Sequence, residues 1–131
     1  MAEPSDQPID PGAVALAFST HRFEDALGHL AKDVRWTIVG FMVLEGADAV
    51  IRTCRETREG LADTVTSVDR CVVAAQGDVV AVDMFSRYSG PNGGVTAVAG
   101  CDIFEFADNR IAAITSYAVQ VDPDSAGAPP S

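Results

Sequence analysis

Two long apolar runs, Val95–Phe106 and Ile111–Val121, are separated by only four residues, Ala107-Asp108-Asn109-Arg110. Asp and Asn tolerate the left-handed backbone of a tight turn, so this pattern reads as a β-hairpin. Strands this long and this apolar need cover, and that requirement shapes everything else in the chain. Asp102 interrupts the first run, with Phe104 and Phe106 at the next two same-face positions. A carboxylate inside an apolar strand is costly unless something solvates it or uses it. Asp102 is therefore the leading functional candidate.

The remaining segments supply the cover. Asp10-Pro11 reads as an N-cap followed by a first-turn proline, and Val14, Ala17, Phe18 and His21 repeat at helical spacing, predicting a helix over Pro11–Ser19. Phe23, Ala26, Leu27 and Leu30 fall at i, i+3, i+4 and i+7, predicting a second helix to about Ala31. Val34–Val39 reads as a short strand closed by Gly40. After Gly46, the stripe Ala47, Val50, Ile51, Cys54 predicts a third helix ending near Gly60, with Arg52/Glu56 and Arg55/Glu59 spaced as i,i+4 pairs. Strands follow over Thr64–Ala75 and Val79–Tyr88, then the hairpin. Helices first and a meander of long strands afterwards predict an α+β fold, with helices on one face of a curved antiparallel sheet. The chain of 131 residues is expected to form one domain over 10–122, with disordered tails at 1–9 and 123–131.

Composition narrows the function. A net charge of −10 speaks against nucleic acid and anionic membranes as partners. No apolar run reaches a membrane span and the polar start lacks a signal core. Cys54, Cys71 and Cys101 show no CxxC spacing, so reduced thiols in a cytoplasmic protein are expected. No GxGxxG, P-loop or GxSxG occurs, and the two histidines make no metal constellation; neither cofactor nor metal is expected. His21 is expected to close the first helix in charged form, and His29 to lie on the exposed side of the second.

The order of elements, the strand Trp36-Thr37-Ile38-Val39-Gly40, the helix entry Gly46-Ala47-Asp48-Ala49-Val50, and the run from Asp102 to Ile111 resemble the SnoaL-like group of the nuclear-transport-factor-2-like superfamily. The resemblance spans about Pro11–Val121. It implies a cone-shaped, curved antiparallel sheet wrapped around three N-terminal helices, with a small-molecule pocket at one end. The superfamily holds ketosteroid isomerases, polyketide cyclases, epoxide hydrolases, dehydratases and non-catalytic members, so it implies a pocket and not one reaction.

Alternation along the strands sorts the faces. Val80, Val82, Met84 and Ser86 form the more apolar face of their strand, and the resemblance turns Val98, Gly100, Asp102 and Phe104 inward, with Ala112, Ile114, Ser116 and Ala118. The expected pocket wall is Phe18, Trp36, Met84, Phe104, Ile114 and Ser116, with Thr37 as a further substrate contact and Asp102 as acid/base. In ketosteroid isomerases a protonated Asp at the position matching Asp102 donates a hydrogen bond in the oxyanion hole; the other reading is a carboxylate satisfied by a backbone N–H or an arginine. The enzyme patterns do not carry over whole. Thr37 or Ile38 stands where those isomerases place a base, Ala13 where they place a tyrosine, and Ser116 where epoxide hydrolases need Asp. Two functions follow: an isomerase, cyclase or dehydratase acting on a small hydrophobic carbonyl compound, or a non-catalytic ligand-binding or assembly module. The opposite strand faces, including Ala81, Phe85, Ile103, Ile111, Tyr117 and Val119, are also apolar, and predict a homodimer through the convex side.

Overall fold

The computed structural model describes residues 9–124. The order of elements is α1 (Pro11–Ser19), two 3₁₀ turns (Phe23–Asp25 and Leu27–His29), β1 (Leu30–Ile38), β2 (Met42–Glu45), α2 (Ala47–Gly60), β3 (Val65–Gln76), β4 (Val79–Ser89), β5 (Val95–Ala107) and β6 (Arg110–Val121). Residues 1–8 and 125–131, which carry most of the expected tails, lie outside the described residues. Ile9 packs against the core, and the Pro123 carbonyl accepts a hydrogen bond from Arg87 Nη1 at 3.1 Å, so packed chain reaches both of these positions.

One six-stranded, curved and unclosed sheet runs in the order β2-β1-β6-β5-β4-β3. Every pair is antiparallel except β1 with β6, which is parallel. That parallel pair places the N-terminal strand beside the last one, and so brings Trp36 level with Ile114 and Ile38 level with Ser116. The β5–β6 turn is set by Asp108 and Asn109, both left-handed with φ 53° and 63°, as two-residue hairpins require.

α1 begins as its sequence dictates: Asp10 Oδ1 accepts from the Ala13 N–H at 3.2 Å, and Pro11 occupies the first turn. α2 buries Val50 and Cys54 and packs Ala47 and Ile51 against the core. Its entry needs Gly46, whose φ of 93° favours glycine and whose N–H bonds the Val34 carbonyl at 2.7 Å. Neither i,i+4 pair expected on its wet side is among the ion pairs of the described residues, where Arg58 instead reaches Glu24 at 2.5 Å.

The expected second helix does not form. Phe23 and Ala26 are buried and Leu27 half-buried, but through two short turns, and the strand starts at Leu30, before the predicted helix end. Leu30 pairs with Ile111, and Arg110 Nη1 donates to the Gly28 and Leu30 carbonyls at 3.3 Å. Sheet pairing takes that backbone, and tertiary contact overrides the helical period. His29 accordingly sits half-buried in a turn.

The core lies between the helices and the concave face. Phe18 is its hub, edge-on to Phe23, Trp36 and Phe104 at centroid distances of 5.7, 5.1 and 5.6 Å. Ile111, expected to face outward, is fully buried and belongs to this core. A register shift between Glu105 and Phe106 pairs Phe106 with Ile111, and this bulge reverses the alternation for the start of β6. Ala112, expected inward, is the residue the shift leaves unpaired.

Candidate active site

Three cross-strand rows build the concave wall: Val80–Phe104–Ile114, Val82–Asp102–Ser116 and Met84–Gly100–Ala118. The first row lies in the core and the other two border a cavity of about 180 Å³. α1 closes that cavity with Phe18 and Ser19, and Trp36 enters from β1. Gly100 lines the cavity without a side chain, and a Cβ there would meet the Tyr117 carbonyl oxygen at 3.1 Å.

Asp102 is half-buried at the cavity wall. The Ser19 hydroxyl donates to its Oδ2 at 2.7 Å, joining the end of α1 to the middle of β5. None of the ion pairs among the described residues involves Asp102. Ser116, its partner across β6, accepts from the Trp36 indole N–H at 2.8 Å. That bond fixes the indole and leaves the Ser116 proton a separate direction, since a hydroxyl both accepts and donates.

Among the described residues the buried polar side chains are Ser19, Ser86 and Ser116, and all three line this cavity. Tyr88 joins them from β4; burial raises its pKa, and the Ser86 hydrogen bond works against that rise. His21 follows α1 and also faces the cavity. Burial pushes its pKa below 6.5, while the Asp102 charge pulls it up, so burial overrides the charging effect expected from a helix end. No Lys or Arg lines the cavity, and among the described residues no group of three His, Cys, Asp or Glu is placed to hold a metal.

Of the residues named from sequence, Asp102, Phe18, Trp36, Met84 and Ser116 meet here. Phe104 and Ile114 do not; they are sealed in the core behind the wall. Thr37 pairs with Thr115 on the opposite face of the sheet, because it alternates with Trp36, so it does not contribute to the pocket. Ser19 and Tyr88 escaped sequence reading, and His21 reads there only as a residue that closes the first helix. Ser86 and Tyr88 continue the inward alternation of Val82 and Met84, and that signal could have found Tyr88. Nothing local marks Ser19 or His21, whose approach depends on how α1 crosses the sheet.

The SnoaL-like domain profile matches residues 13–114. Among curated proteins none matches. The fold is shared with an NTF2-like protein of unknown function from Cytophaga hutchinsonii, 26% identical over 82% of this chain and 94% of that one, with a TM-score of 0.71. A proposed polyketide cyclase from Xanthomonas campestris is 21% identical over 80% and 84%, with a TM-score of 0.65. An LEH-like epoxide hydrolase from M. tuberculosis is 20% identical over 83% and 82%, with a TM-score of 0.61. The profile match and the six-stranded sheet around α1 agree: the chain belongs to the SnoaL-like family.

Proposed function

We propose that this protein is an acid/base enzyme acting on a small, uncharged, apolar molecule that carries a carbonyl group, with Asp102 as the proton-exchanging residue. One observation carries the reading: the buried serines converge with Asp102 on a single cavity whose other walls are apolar and aromatic. A purely structural carboxylate needs its hydrogen bonds satisfied, and Ser19 supplies one. It does not need Ser86 and Ser116 spending hydroxyls on the same space.

The size and charge of the space support this substrate class. At about 180 Å³ it is on the scale of the ~150 Å³ engineered cavity that admits a benzene ring. A single ring or a short branched chain fits. With no cation on the wall, a carboxylate or phosphate substrate would meet Asp102 unscreened. A neutral ketone suits both conditions. Asp102 takes a proton from the carbon beside the carbonyl, and hydroxyl donors on the wall receive the charge that develops on oxygen. The proposed cyclase of shared fold supports the reaction class and no more than that.

The test uses 3-cyclohexen-1-one, a one-ring ketone whose isomerisation to the conjugated enone is read by ultraviolet absorbance. The wild-type protein should catalyse it, and Asp102→Asn should lower kcat by ~10²-fold or more. Equal rates for the two proteins would remove Asp102 from the chemistry. An inert wild-type protein that still binds the ketone in this cavity would favour the ligand-binding module instead.

A homodimer through the convex face belongs to the same reading as an assembly proposal. Val79, Tyr117 and Val119 are 44%, 49% and 62% exposed there, and α1 and α2 are committed to the other side. Light scattering at micromolar concentration decides it: a mass of 13.7 kDa, one chain, would reject the dimer.

A further inference from the structure

α1 ends in a paired reverse hydrogen-bond motif. The Arg22 N–H donates to the Ala17 carbonyl at 2.8 Å and the His21 N–H to the Phe18 carbonyl at 3.1 Å. This is the Schellman arrangement, which requires left-handed backbone at the residue after the cap and favours glycine there. His21 takes that position with φ 64°. A side chain at such a site is disfavoured relative to glycine, and backbone of this kind clusters where a side chain must be aimed. The imidazole is aimed at the cavity, with its ring 5.4 Å from the Phe23 ring.

The groups around it come from several elements. Asp102 of β5 and Tyr88 of β4 share the cavity wall with it, as does the Ser19 hydroxyl of α1. Arg58 of α2 lies beyond, over the Phe23 ring at 5.7 Å, and is paired with Glu24. The Ser19 hydroxyl is engaged by Asp102, whereas no side-chain hydrogen bond among the described residues uses the His21 ring.

We propose that His21 is the second catalytic residue of the pocket, donating a ring N–H to the carbonyl oxygen of the substrate while Asp102 exchanges a proton with the adjacent carbon. The proposal rests on the reading of Asp102 above. The step is balanced. The C–H bond breaks, its proton goes to a carboxylate oxygen of Asp102, and its electron pair forms the C=C bond. The carbonyl π pair moves to oxygen, which accepts the His21 N–H hydrogen bond. Return of the proton from Asp102 to the far carbon of the conjugated system regenerates the carbonyl. No proton or electron is gained or lost overall. A neutral imidazole suits this task, because an imidazolium would pair with Asp102 and occupy the lone pairs that must take the proton. Burial holds His21 toward the neutral form.

The experiment compares two probes on the full chain. Phenol presents an oxygen on a planar ring, as an enolate does; toluene has the same shape without the oxygen. His21→Asn tolerates left-handed backbone but shortens the side chain and so withdraws its N–H donor from the cavity, and His21→Gln restores the reach of that donor. NMR titration of His21→Asn should show phenol binding weakened ~10-fold or more with toluene binding unchanged. In the cyclohexenone assay kcat should fall ~10²-fold with little change in KM, and His21→Gln should recover part of both losses. Equal loss of phenol and toluene binding, no loss of either, or full turnover in His21→Asn would overturn the assignment. If Asp102→Asn keeps wild-type turnover, the Asp102 reading fails, and the phenol–toluene comparison still decides His21.

Discussion

Neighbouring residues on β5 and β6 show how differently the two faces of one sheet are treated. On the concave side Phe104 is fully buried and Ile114 is 1% exposed, sealed by Phe18. Three and five residues further along β6, on the convex side, Tyr117 is 49% exposed and Val119 62%, although the strand there is no less apolar. Part of the convex face does cover itself. Phe85 is 3% exposed, with the Arg87 guanidinium over its ring at 5.4 Å, held by Asp69 and the Pro123 carbonyl. Among the described residues the rest has no such strap. The concave face is thus a core with one polar cavity cut into it. The convex face is an apolar surface with a polar clamp at one end. Burying serines is tolerable only where they are bonded or used, and among the described residues they are confined to the concave cavity.

The contrast can be broken from either side. Phe104→Ala removes the largest fully buried side chain and should cost ~3–5 kcal/mol in urea or guanidinium unfolding. Tyr117→Ala, on the other face, should shift the stability of the single chain by ~0.5 kcal/mol at most. Similar losses at both positions would mean that the convex face is already covered. Tyr117→Glu sharpens the same point, because a charge in the dry centre of a dimer should return the mass to 13.7 kDa while leaving Asp102-dependent turnover in place.

A smaller effect follows from His21. Its folded pKa lies below 6.5, so between that lowered value and 6.5 the unfolded chain binds more protons than the folded one. Stability should therefore rise with pH through this window and be lost as pH falls through it. His21→Asn should flatten that part of the urea-midpoint profile between pH 5 and 7.5. An unchanged slope would place the imidazole in water, not at the cavity wall. The thiols give the mildest contrast. Cys54, fully buried with its pKa raised to about 12 by burial, should resist iodoacetamide in the native state, while the exposed Cys71 is alkylated.

Much of this architecture is legible in the residues themselves. Asp10-Pro11, the Ala47–Cys54 stripe and Asp108-Asn109 carry their structures locally, through a cap, a helical period and a left-handed turn. Alternation along β4, together with the family resemblance for β5, found the row holding Asp102. The failures share one cause, a dependence on partners distant in sequence. The segment from Phe23 has a helical period, yet pairing of Leu30 with Ile111 takes its end into the sheet. Thr37 is the exception: it alternates with Trp36 along β1, so a local rule already puts the two side chains on opposite faces. β2 is four residues with no pattern of its own, and exists because Arg35–Ile38 offer an edge. Ser19 and His21 reach the site only through the angle at which α1 ends over β5, and no spacing in the sequence encodes that angle.

The central claim is that Asp102 exchanges protons with a small carbonyl compound in the concave cavity, and it can be read without knowing the natural substrate. Cyclohexanone in D₂O exchanges its α-hydrogens for deuterium whenever a positioned base removes them, and NMR follows the loss of signal directly. The account predicts exchange well above the buffer rate with the wild-type protein, and a fall of ~10²-fold or more with Asp102→Asn at unchanged folding. Exchange that is equally fast in both proteins, or at the buffer rate in both while cyclohexanone is bound, would contradict it.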